Sequence, residues 1–121
     1  MFLQLNHQQL EVFKVSKKFV LECYKLTTFF PQDEWYAMVQ QIRRAELSVH
    51  LNIAEGCSRK SEIERKRYFE VSRGSIIEID AALDIASELA YFEKDKIPGL
   101  GAFLLDCFKM LSAMIQKVSS H

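Results

Sequence analysis

Glu46 and His50 stand four residues apart, close enough on one helical face to reach a shared metal ion. A carboxylate-bridged metal site in a helical bundle needs Glu-x-x-His pairs on two helices. The sequence contains none, and His7 and His121 lie near its ends. No Ser/His/Asp arrangement, phosphate loop or dinucleotide fingerprint is present either. The expectation is a protein that is not an enzyme and that holds no metal and no cofactor. An active site or small-ligand pocket in the core is the weakest reading, and would require a polar pocket between the second and third helices.

The most distinctive polar pattern is Gln41, Arg44, Ser48, Asn52 and Glu55, which recur on one side of a helix at 100° per residue. Solvated faces favour long charged groups. This stripe carries short hydrogen-bonding groups beside one Arg and one Glu, which points to a specific polar contact. Glu55 meets the negative end of its own helix dipole, an unfavourable position that calls for a partner such as Arg44, Arg59 or Arg73. A polar network fixing helix register or subunit packing is the preferred reading. A ligand or nucleic-acid contact is the alternative.

A second set, Arg43, Arg59, Lys60, Arg65, Lys66, Arg67 and Arg73, could neutralise phosphates if it shared one surface. Acids interleave with it, and no helix-turn-helix, RNP-like or zinc-finger pattern accompanies it. A salt-bridged, solvated face is the competing explanation. Gly74 interrupts a helical pattern at a cost of about 1 kcal/mol relative to alanine, which suggests a close approach between helices or subunits. Cys23, Cys57 and Cys107 have neither metal spacing nor a CxxC pair. Such thiols suit a reducing compartment, so a cytoplasmic location is expected. Cys57 follows a helix C-terminus, where the dipole gives its thiolate no activation.

These groups must be carried by helices. With 49% hydrophobic residues and 12% aromatic in 121 positions, the chain is neither disordered nor too short for one real core. Two prolines and four glycines leave little material for turns. Formal charge sums to zero, which counts against a dedicated nucleic-acid binder. The distribution is uneven: residues 59–73 carry about +3 and residues 78–95 about −5. No signal peptide and no bilayer-spanning apolar run is visible, so no membrane association is expected.

Four helices are expected, at about 7–28, 33–55, 62–91 and 98–119. Asn6 with Gln9 reads as the N-cap and capping box of the first, with Leu5 and Leu10 as its hydrophobic staple. Its core stripe is Val12 or Phe13, Phe19, Val20, Cys23, Leu26 and Phe30. Trp35, Met38, Ile42, Ala45, Val49 and Ile53 form the apolar stripe of the second, and Gly56 its left-handed stop. Ser61 and Glu64 box the start of the third, whose stripe is Phe69, Ser72, Ile76, Ile79, Leu83, Ala86 and Ala90. Phe92 to Lys96 is the next corner, and Pro98 suits the first turn of the fourth helix. That helix presents Phe103, Leu104, Cys107, Leu111, Met114, Ile115 and Val118. Short loops between four helices make an all-α, up-down-up-down antiparallel four-helix bundle in a single domain.

Gln41-Ile42-Arg43-Arg44-Ala45, Ser48-Val49, Asn52-Ile53-Ala54-Glu55-Gly56 and the following Arg59 carry a family resemblance, joined by Arg73-Gly74-Ser75-Ile76-Ile77-Glu78. Over about residues 15–118 the chain resembles the small bacterial four-helix-bundle proteins of the 23S rRNA intervening-sequence type. Relatives of these include the accessory protein of diversity-generating retroelements. The resemblance implies a homopentameric barrel, and some relatives are similar to RNA- or DNA-binding scaffolds with basic surfaces. It therefore implies itself as the first partner, RNA or DNA as a second, and another protein such as a reverse transcriptase as a third. Two readings stay open: a non-enzymatic homo-oligomeric scaffold that binds RNA or DNA, and a protein–protein adaptor that binds no nucleic acid.

Overall fold

Apolar residues at three- and four-residue spacing fold into four α-helices: α1 (Glu11–Thr27), α2 (Gln40–Ser58), α3 (Glu62–Glu88) and α4 (Leu100–Ser119). The computed structural model describes residues 2–93, 95 and 97–119. Lys94 and Lys96 of the third corner, and His121, lie outside them. No strand occurs among the described residues. Each helix packs on its neighbour in sequence, and α4 closes the ring against α1. The result is the expected all-α four-helix bundle. Its centre holds Phe19, Leu26, Ile42, Ile53, Ile76, Ile79 and Leu111, all removed from solvent. Burial of each such side chain contributes about 1.5–3 kcal/mol.

The most extensive interface joins α2 to α3, because small side chains let the two backbones come close. Ala45 and Gly56 are buried on α2, and Ser72 and Ser75 on α3. A Cβ at Gly56 would lie 2.7 Å from Cε1 of Phe69, so only glycine fits there without displacing that ring. Gly56 is therefore not the left-handed stop the sequence suggests. No glycine has positive φ, and α2 continues two residues further to Ser58.

Other ends also differ from expectation. Asn6 opens a 3₁₀ turn, Asn6–Gln9, and α1 starts only at Glu11 with Leu10 as an extended N-cap that makes no side-chain cap. Leu5 and Leu10 both remain exposed, so no staple forms. The break at Leu10 lets Val12 and Phe13 turn into the core. Ser61 does cap α3, accepting from the Glu64 amide at 3.4 Å. α3 stops at Glu88, and Ala90 is exposed with φ of 58° rather than buried on the stripe. Leu100, not Pro98, begins α4, and the Phe103 amide donates to the Gly99 carbonyl at 3.0 Å.

The largest departure precedes α2. Gln32–Glu34 forms a 3₁₀ turn and Trp35–Val39 a π turn. A π turn is wider than an α turn, so each residue rotates less about the axis. The stripe of Ile42, Ala45, Val49 and Ile53 is buried as expected, but Met38 is only half-buried and Trp35 turns out to solvent.

Candidate functional site

Two polar seams flank α2. On the α3 side, Ser72 Oγ donates to the Val49 carbonyl at 2.7 Å, and Ser75 Oγ donates to Ser48 Oγ at 2.9 Å. Asn52 Nδ2 reaches back to the Ser48 carbonyl at 2.8 Å and to Ser48 Oγ at 3.0 Å. Gln41 Nε2 donates to Glu78 Oε1. Glu55 pairs with Arg59 at 3.0 Å across one helical turn. The five-residue stripe thus splits. Gln41, Ser48, Asn52 and Glu55 have partners inside the chain, whereas Arg44 is exposed with no hydrogen bond or ion pair among the described residues.

On the α1 side two hydrogen-bonded rungs cross the helix pair in antiparallel order, with a buried carboxyl between them. The buried Ser16 hydroxyl donates to the Phe13 carbonyl at 3.0 Å and lies 2.6 Å from His50 Nδ1. Phe13 stacks on the imidazole, with centroids 4.2 Å apart. Burial, then Lys17 and His7, holds His50 below its usual pKa. At the far end, Arg43 Nε donates to Thr27 Oγ1 at 3.0 Å. Between them sits Glu46, fully buried, with no hydrogen-bond partner at either carboxyl oxygen. Burial pushes this carboxyl up to about 8, while the Cys23 thiol and the Arg43 charge pull in the opposite direction. His50 is thus engaged by Ser16 while Glu46 stands apart from it, and no group of three or more His, Cys, Asp or Glu side chains that could hold a metal ion occurs among the described residues. Burial raises the Cys23, Cys57 and Cys107 thiols, so none is an activated nucleophile.

The basic set does not converge. The Arg43 guanidinium lies over the Tyr24 and Trp35 rings, 4.7 and 5.7 Å from their centroids. Arg59 donates to the Tyr68 hydroxyl at 3.0 Å as well as to Glu55. Arg65 borders an apolar cleft with Phe69 and Met114. Arg73 turns to α4 and donates to Ser112 Oγ at 3.2 Å. Lys60 and Arg67 are exposed and Lys66 half-buried, which leaves a small basic group at the α2–α3 corner.

Two surface features escape a reading based on polar residues. Val71, Gly74, Ala81 and Ile85 share one exposed stripe of α3 at helical spacing, interrupted by Glu78 and continued by Leu89 just past the helix end. A Cβ at Gly74 would meet nothing within 4 Å, so the close approach expected there is not made within the chain. Leu47 and Leu51 are exposed on α2. Their signal in the sequence was a second apolar periodicity, out of phase with the core stripe. The other feature is the exposed aromatic corner at Trp35 and Tyr36, hidden by extending the α2 wheel backwards through the π turn.

A family model described as 23S rRNA-intervening sequence protein matches residues 8–113. The chain belongs to this family. The match spans the whole bundle from the 3₁₀ turn before α1 into α4, including both seams of α2. The 23S rRNA-intervening sequence description names a genetic setting and no reaction. Among curated proteins the chain finds no match. No helix among the described residues is long and apolar enough to cross a membrane.

Proposed function

We propose that this member of the family is a non-enzymatic homo-oligomeric scaffold whose subunits meet through the outer faces of α2 and α3. The observation that carries this reading is the exposed stripe Val71, Gly74, Ala81, Ile85 and Leu89, with Leu47, Leu51 and Arg44 exposed on α2 and Arg44 in no ion pair among the described residues. Extended exposed apolar patches usually mark interaction sites. A helix lacking a side chain at Gly74 can receive another helix at short range. Five copies closing a ring would match the resemblance in the sequence. Such a ring would also repeat the Lys60, Lys66 and Arg67 corner, multiplying a modest affinity for RNA or DNA.

Light scattering coupled to size exclusion tests the assembly. Several subunits per particle are expected, and Val71→Asp with Ile85→Asp should release monomers of unchanged helicity. A monomeric parent protein at micromolar concentration rejects the reading. The alternative adaptor role draws support from the formal charge of zero. Recovery of protein partners that survives nuclease treatment would favour it.

A further inference from the structure

At the α1–α2 corner a hollow of about 350 Å³ is bounded by Phe30, Gln32, Trp35 and Tyr36. Its size falls in the range of small-ligand sites. Three of its four walls are aromatic rings. Phe30 is buried and braced by Tyr91 and Phe92, at centroid distances of 5.5 and 6.2 Å, so that wall is fixed by the opposite corner of the bundle. Trp35 and Tyr36 are held outward by the π turn, and they remain 45% and 93% exposed. Apart from the Arg43 guanidinium, 5.7 Å from the Trp35 ring centroid, no ring or cation contact to Trp35 or Tyr36 occurs among the described residues.

The electrostatics select the sign of an occupant. Aromatic faces carry negative potential and attract cations. Asp33 and Glu34 stand on the 3₁₀ turn between the lining residues Gln32 and Trp35, outside the lining itself, and neither side chain forms an ion pair or hydrogen bond among the described residues. The same indole already has a cation near it, the Arg43 guanidinium, which is tied to Thr27. Arg43 opposes a second positive charge, and the two unpaired carboxylates offset that opposition. A neutral apolar occupant would gain nothing from Asp33 or Glu34, and an anion would face both.

We propose that this aromatic hollow binds a soft organic cation, a quaternary ammonium or guanidinium group, between Tyr36 and Trp35 with Asp33 and Glu34 at its rim. All four lining residues belong to one chain. Trp35 is the one tryptophan of the sequence, so intrinsic emission reports occupancy directly. The experiment titrates the full protein with choline chloride and with N-acetylarginine amide, against sodium chloride at matched ionic strength. The uncharged isostere of choline, 3,3-dimethylbutan-1-ol, serves as the control for apolar filling. A saturable change with a cation and none with the isostere is expected. Tyr36→Ala should weaken binding about three- to tenfold, the scale of a partly exposed cation–π contact. Asp33→Asn with Glu34→Gln should weaken it about threefold and reduce its salt dependence. Saturation by the arginine derivative alone assigns the site to a side chain of a partner polypeptide, and saturation by choline alone to a free ammonium compound. An equal response to the isostere, no saturation by either cation, or unchanged affinity in Tyr36→Ala overturns the proposal.

Discussion

Glu46 is the residue whose environment departs furthest from its chemistry. A carboxyl sealed between α1 and α2 with no hydrogen-bond partner at either oxygen favours its protonated form, because the compensation from the Cys23 thiol and the Arg43 charge falls short of the cost of burial. Its raised folded-state pKa has a definite consequence for stability. The unfolded chain releases this proton from pH about 4.5 upward, and the folded chain only near 8. The folded state therefore binds the extra proton in that window, so the contribution is complete below about 4.5 and is lost as pH rises through 8. Glu46→Gln should remove this slope. Chemical denaturation of both proteins at pH 5 and pH 9 checks it, with the variant gaining on the order of 1–3 kcal/mol relative to wild type at the higher pH. Equal differences at the two pH values would show that Glu46 is ionised in the fold.

At the scale of the helix, ends decide more than centres. The close of α3 has Schellman geometry: the Tyr91 amide donates to the Ala86 carbonyl at 3.0 Å, and the Ala90 amide to Ser87 at 3.0 Å. This motif places Ala90 at φ of 58°, where an alanine Cβ crowds its own backbone and glycine does not. Ala90→Gly is expected to stabilise the protein by about 0.5–1 kcal/mol. Thermal melts at fixed protein concentration should rise by a few degrees. An unchanged or lower midpoint would mean that the flexibility gained by the unfolded chain outweighs the strain removed. The start of α2 teaches the converse. Its π turn breaks the 100° rotation, so Trp35 leaves the core stripe and joins Tyr36 at the surface.

For the molecule as a whole, a formal charge of zero conceals separation along the bundle. Lys60, Lys66 and Arg67 gather near the α2–α3 corner, while Glu78, Asp80, Asp84 and Glu88 line the exposed C-terminal half of α3. Nucleic acid approaching the acidic half is repelled, so the small basic corner is the surface on which the scaffold proposal rests its RNA or DNA contact. Filter binding across a salt series tests it. The logarithm of affinity should fall with a slope of roughly −0.7 to −0.9 for each phosphate neutralised. Lys66→Glu with Arg67→Glu should lower affinity and flatten that slope. Parent and variant slopes that coincide would place the contact elsewhere.

The sequence by itself determined the number of helices, the central part of each core stripe and the Ser61 cap, while Trp35 and Ala90 at the stripe ends turn out to solvent. Each follows from local periodicity or from a hydrogen bond three residues long. It also marked α2 as the element with a specialised polar side, visible as Ser48 and Asn52 where solvent-facing lysines would be ordinary. Tertiary structure alone decided which groups meet. The partner of Ser48 is 27 residues away, that of Ser16 is 34, and that of Arg73 is 39. No spacing rule reaches so far. Gly56 shows the reason most directly. A glycine near a helix end has the same letter whether it turns the chain or makes room for Phe69, and only the approach of α3 distinguishes the two.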